Sequence, residues 1–191
     1  MNDAPLVLGF DTTAAHCAAA VVRGDRLLAS TGEDMARGQA ERLMDMLQEV
    51  LDTAAVQWSD LSALAVGVGP GNFTGIRIGV SAARGLALGL GIPAYGVDGF
   101  DVRARTIPHG SRVIIPAPRD MVYVRDAATP SLVPRQSIDN AAPDPTPQAL
   151  AQAIAAIGAE RWPASPDAPA PLYVKAPDAA PARDVPPPLL P

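Results

Sequence analysis

At 191 residues the chain is long enough for one ordinary domain or two small lobes. Hydrophobic residues make up 48% of it but aromatic ones only 4%, so a core must come from close approach of alanine- and glycine-rich segments rather than from large rings. A net charge of −5 excludes it as the main phosphate-gripping surface of a nucleic-acid complex, and the lone Cys17 excludes an intrachain disulfide and a cysteine-based zinc site.

Leu6 to Phe10 is an apolar run of buried-strand type. Asp11-Thr12-Thr13 turns the chain into a second strand from Cys17 to Arg23, and Gly24-Asp25 turns it again into a third from Arg26 to Thr31. The expected product is a three-strand meander, with Cys17 as a small buried hydrophobe and His16 as a loop or strand-edge residue. From Met35 to Ala54, residues Ala40, Leu43, Met44, Leu47, Val50, Leu51 and Ala54 recur at helical spacing opposite a charged face, which predicts an amphipathic helix.

Ser59-Asp60 can cap a short helical turn before a strand over Ala63 to Val68. Gly69-Pro70-Gly71 closes that strand, Asn72 or Thr74 caps the next helix, and Gly91 before Ile92-Pro93 ends it near Leu90. Gly75, Gly79, Ser81, Ala82, Ala83, Gly85, Ala87 and Gly89 leave this helix with little side-chain surface. Each interior glycine costs about 0.5–1 kcal/mol relative to alanine. Close packing must offset that cost, either inside the domain or against a partner protein.

The glycine turn is no Walker loop, because Gly75 is followed by Ile76-Arg77 rather than Lys-Ser/Thr. Nor does it complete the dinucleotide fingerprint, since Gly75 falls one residue late after Gly69 and Gly71. A strand from Ala94 to Val97 follows, giving the order three strands, helix, strand, helix, strand. That is the mixed-sheet order of the ribonuclease-H-like fold, one lobe of an actin-like ATPase. The expected organisation is a first lobe over 1–105, a reduced second lobe over 106–175 and a proline-rich tail over 176–191. The second lobe would hold a hairpin over 112–125 and a short helix over 147–157. Eighteen of the 21 prolines stand at Pro108 or later, which disfavours further regular structure there.

Catalytic groups are sparse. His16 and His109 belong to no H-x-x-x-H or H-E-x-x-H pair, so no metal site is expected, and Ser81 lacks a G-x-S-x-G setting. Asp11, Thr12 and Thr13 stand where actin-like ATPases hold nucleotide phosphates and metal. The same residue types are equally at home in a turn that bonds to its own backbone. No basic and apolar leader opens the chain and no membrane-length apolar run occurs, so a cytoplasmic protein is expected.

The run Gly69-Pro70-Gly71-Asn72-Phe73-Thr74-Gly75-Ile76-Arg77-Ile78-Gly79 resembles the GPG-S-FTG-[LI]-RIG signature of the TsaB family, also called YeaZ. The similarity extends from about Leu6 to Gly99 and returns weakly over Arg119 to Tyr123 and Leu172 to Val174. Asn72 replaces the usual serine, and Gln39 stands where relatives commonly carry histidine. The resemblance implies an actin-like fold without catalytic residues, metal or cofactor of its own. It implies a heterodimer in which the two helices pack against TsaD, whose subunit carries metal and ATP and transfers threonylcarbamoyl to the adenosine beside the anticodon of ANN-decoding tRNAs. TsaE is the further expected partner, and tRNA is reached only through the complex.

By position, the resemblance places Leu43, Met44, Leu47, Arg77, Ile78, Ser81, Ala82 and Gly85 at that interface, with intradomain core as the alternative for each apolar member. It leaves Asp11, Thr12 and Thr13 as a vestigial nucleotide site. Two other readings compete: a stand-alone actin-like ATPase or glycopeptidase-like hydrolase, and a self-pairing homodimer.

Overall fold

The computed structural model describes residues 4–108, 110–126 and 129–174. His109 and the tail over 176–191 lie outside the described residues. A five-stranded sheet runs in the order β3-β2-β1-β4-β5, from β1 (Leu6–Asp11), β2 (His16–Arg23), β3 (Arg26–Asp34), β4 (Ala63–Gly67) and β5 (Ala94–Val97). The first three strands are antiparallel, while β4 and β5 run parallel to β1, as expected of this mixed sheet.

Both faces of the central strands are covered, which is why they read as nearly unbroken apolar runs. On one face Leu6, Leu8, Phe10, Ala19, Val21, Leu64 and Val66 meet α1 (Gln39–Ala54) and α2 (Phe73–Leu90). α1 buries Leu43, Met46, Leu47, Val50 and Leu51. The predicted stripe is therefore shifted: Met46 lies inside, whereas Met44 is 45% exposed.

On the other face Val7, Ala18, Ala20, Val22, Ala63 and Ala65 meet α4 (Pro147–Arg161), with Val102 of α3 (Gly99–Thr106) in the same cluster. α4 is capped by Thr146, whose hydroxyl accepts from the Ala149 N–H at 3.2 Å. The sequence assigns this helix to the second lobe; the structure returns it to the main sheet. Its glycine and alanine surface lets it lie against an alanine-lined sheet face, a match that no local pattern encodes. What stands apart is a small antiparallel sheet of β6 (Ile115–Ala117), β7 (Met121–Val124) and β8 (Ser131–Pro134), with Ile114, Val122, Val124 and Ile138 as its own core. No helix among the described residues is long and apolar enough to cross a membrane.

Candidate functional site

The parallel strands β1 and β4 end side by side, and the turns that follow them meet the N-terminus of α2. Asn72 caps that helix with its side-chain oxygen, accepting from the Gly75 N–H at 2.8 Å, while its own N–H donates to the Thr13 carbonyl at 2.6 Å. Thr12 donates its hydroxyl to the Gly75 carbonyl at 2.7 Å. A Cβ on Gly75 would collide with the Thr12 carbonyl oxygen, so the signature glycine is where the helix touches the turn. Of the hydroxyls expected to face phosphate, that of Thr12 is spent on the helix, and Thr12 is 1% exposed.

Asp11 is similarly engaged. One carboxylate oxygen accepts from the Thr13 N–H at 3.0 Å and the other lies 3.0 Å from His16 Nε2. Burial pushes the Asp11 carboxyl upward, but the His16 bond, its charge and the Thr13 N–H outweigh it and hold the group below the usual carboxylate range. Burial pushes the His16 imidazole downward, and the Asp11 bond and charge reverse this, so it titrates above the usual histidine value. Burial pushes the Cys17 thiol up to about 11, which makes it an inert packing residue.

A cleft of about 620 Å³ opens over this turn, between the strand ends and the small sheet. Thr13 and His16 line its floor, Asn72, Phe73 and Tyr173 one side, and Tyr123 of β7 the other sheet's side. Arg103 of α3 also reaches it. That side chain is buried, and its Nε and Nη2 donate to Asp144 Oδ1 at 3.2 and 2.9 Å. The sequence carries no signal for this pair, because its members are separated by 41 positions and belong to no motif. Among the described residues no group of three or more His, Cys, Asp or Glu is placed to hold a metal ion.

The expected interface residues fall into three groups. Leu43 and Leu47 are 1% and 0% exposed, so they belong to the core, the alternative left open for them. Arg77 packs behind two cleft-lining residues: its guanidinium carbon sits 3.8 Å from the Phe73 ring centroid and its Nε donates to the Tyr173 hydroxyl at 2.9 Å. Met44, Ser81 and Gly85 are exposed, and Ile78 and Ala82 are half-buried at the margin of the core. The outer surface of α2 also presents Leu88, 86% exposed and missed in the sequence although it lies one helical turn beyond Arg84 and Gly85. A Cβ at Gly85 or Gly89 would meet nothing within 4 Å. Gln39 donates to the carbonyls of Met35 at 3.2 Å and Ala14 at 3.4 Å, tying the start of α1 to the turn between β1 and β2.

Residues 31–145 match the family model described as TsaD, tRNA N6-adenosine threonylcarbamoyltransferase. In structure the chain is similar to YeaZ from Pseudomonas aeruginosa, with a TM-score of 0.60 and 30% identity over 71% of this chain and 70% of that one. The chain belongs to the TsaD-like family, on its TsaB (YeaZ) branch. The tRNA threonylcarbamoyladenosine biosynthesis protein TsaB of Escherichia coli is 40% identical over 92 residues, which cover 48% of this chain and 39% of that protein. TsaB of Buchnera aphidicola is 33% identical over 100 residues, covering 52% and 47%. The chain spans about half the length of the curated relatives it matches. Its five-stranded mixed sheet and flanking helices are the actin-like, ribonuclease-H-like fold of the TsaB branch.

Proposed function

We propose that this chain acts in the formation of threonylcarbamoyladenosine in tRNA as a non-catalytic subunit that binds TsaD and holds it in its active arrangement. Its relatives in Escherichia coli and Buchnera aphidicola are TsaB biosynthesis proteins, and the matching family model is described as that of the transferase. The observation that carries the proposal is the outer face of α2, where Leu88 is 86% exposed between Gly85 and Gly89, whose surroundings are open. A large apolar side chain flanked by bare backbone leaves room for the close approach of another helix. TsaD supplies metal and ATP in this scheme, TsaE joins the pair, and tRNA is engaged through the complex in the cytoplasm.

Reconstitution of tRNA modification with TsaD and TsaE from the same organism, with and without this chain, tests the proposal. Modified tRNA should form only when the chain is present. The rival reading, a stand-alone ATPase or hydrolase, requires nucleotide or peptide turnover by the isolated chain that Asp11→Ala abolishes. Partnering of Asp11 and Thr12 within the fold speaks against it. Turnover at an enzyme-like rate by the purified chain would replace the scaffold reading.

A further inference from the structure

Beyond α4 the chain runs from Pro163 to Val174 without helix or strand, yet it is fastened to the main sheet near both ends. The Tyr95 hydroxyl donates to the Ala164 carbonyl at 2.7 Å. The Leu172 N–H donates to the Val68 carbonyl at 2.7 Å, and the Leu172 side chain packs against the core. This second fastening fixes the residue that follows it. The Tyr173 ring lies against the first turns of α2, 5.0 Å between centroids from Phe73, and its hydroxyl accepts from Arg77 Nε.

Arg77 is held in an unusual way for this protein. Arg42, Arg103, Arg105, Arg112 and Arg125 are each bonded to a carboxylate. Arg77 is the one arginine among the described residues whose side-chain partners are all neutral, a phenol and two aromatic rings. Its Nη1 and Nη2 have no partner there, and α2 carries no Asp or Glu that could supply one. A guanidinium ordinarily gives up rotamer freedom when it binds; here the stack and the Nε bond have already taken that freedom away. Phe73, Arg77, Ser81, Arg84 and Leu88 follow one another at spacings of four, four, three and four, so they form one strip of the helix. The fixed, unanswered charge is therefore the N-terminal end of the strip that carries Leu88 at its other end.

We infer that Tyr173, Phe73 and Arg77 form a clasp that reads charge on the docking partner, taking an Asp or Glu side chain of the protein that packs on Leu88. This rests on the reading of the α2 outer face as the surface that meets TsaD. The free groups of the clasp are the two Nη and the Tyr173 O–H, all donors around a positive charge, and a carboxylate is the side chain that offers acceptors and the opposite charge together. A chain of net charge −5 otherwise repels such a group, so the clasp fixes where on the face it is accepted. Tyr173 acts as a positioning residue, through Arg77. The contact is separate from the cleft, whose lining does not include Arg77.

The test is calorimetric titration of the full chain with TsaD of the same organism at low and high sodium chloride. Arg77→Gln should weaken binding about tenfold and lose part of the salt dependence of wild type. Tyr173→Ala should weaken it about threefold while keeping that salt dependence, because the guanidinium remains but is no longer held. In the ¹⁵N-labelled chain the Arg77 Nε–H resonance should move in Tyr173→Ala and, in wild type, on addition of TsaD. Both residues are exposed, so both variants should melt as wild type does. The inference is overturned if Arg77→Gln keeps the affinity and salt dependence of wild type, or if Tyr173→Ala binds as tightly as wild type or more so, the latter marking the segment as a cover over the face. Binding that Leu88→Asp abolishes and Arg77→Gln leaves unchanged would refute the clasp alone, whereas absence of binding by wild type would refute the TsaD reading and the clasp with it.

Discussion

Asp11 and His16 each keep a charge that burial alone would remove, and the two titrations act in opposite directions. The depressed folded value of Asp11 contributes stability that is present above its ordinary value of 3.8 and lost as pH falls through the folded value. The raised folded value of His16 contributes stability that is complete below its ordinary value of 6.5 and lost as pH rises through the folded value. The pair therefore stabilises the fold most between about pH 4 and 6.5. Melting temperatures followed by circular dichroism should fall from that window toward alkaline pH, and His16→Gln should remove most of the alkaline decline. Asp11→Asn leaves the buried imidazole without its counter-charge, and loss of one member of such a pair costs roughly 3–5 kcal/mol. An unchanged melting profile in both variants would show that the pair does not couple to folding. At this scale the sequence marks the turn but not its chemistry. Asp11, Thr12 and Thr13 stand out as phosphate-type residues, yet the Thr12 hydroxyl goes to Gly75, 63 positions away. His16 acquires its meaning only when the turn folds it back onto Asp11.

Elements whose pattern is local are the ones the sequence discloses. β1, β4, β5 and α2 lie within a residue or so of their predicted bounds because apolar runs and the Gly69-Pro70-Gly71 and Gly91 breaks mark their ends. α3 is missed: it has only eight residues and starts at Gly99, and its cap is the side chain of Asp98 accepting from the Phe100 N–H at 2.7 Å. β8 is missed because it is an edge strand ending at Pro134 and preceded by Pro130. α2 shows how one composition serves two purposes along a single helix. A Cβ at Gly79 would lie 2.8 Å from Thr12 Oγ1 and 3.2 Å from Val66 Cγ2, so Gly79→Ala should destabilise the chain by about 1–3 kcal/mol in urea unfolding. Gly85→Leu places its side chain in open space and should leave stability unchanged or raise it by up to about 1 kcal/mol through helix propensity. The same variant should lose recovery of TsaD in a pull-down, because the added side chain occupies the room a partner helix needs. Full recovery of TsaD by folded Gly85→Leu would move the interface elsewhere on the molecule.

Across the whole molecule, the outcome hidden from the sequence is that α4, which follows the small sheet in the chain, closes the far face of the main one. Its amphipathicity is weak because nearly every side is covered, with Leu150, Ala151, Ile154, Ala155 and Gly158 all buried. Contact with the central strands β1 and β4 includes two close approaches. A Cβ at Gly9 of β1 would stand 2.5 Å from the Ala155 backbone nitrogen, and one at Gly158 would stand 2.7 Å from the Ala65 Cβ. At Gly9 the obstacle is backbone, which cannot rotate aside, so Gly9→Ala must push α4 off β1. Each of Gly9→Ala and Gly158→Ala should cost about 1–3 kcal/mol in urea unfolding. The two costs should not add: once one methyl has lifted the helix, the second finds part of its space already made, and residues coupled through a shared shift give interaction energies of roughly 0.5–3 kcal/mol. A double-mutant cycle therefore separates a rigid helix seated on both strands from two unrelated contacts. Sub-additive costs place α4 within one cooperative unit with β1 and β4, whereas strict additivity, or a neutral Gly9→Ala, would mean that the helix is not seated on the sheet as described.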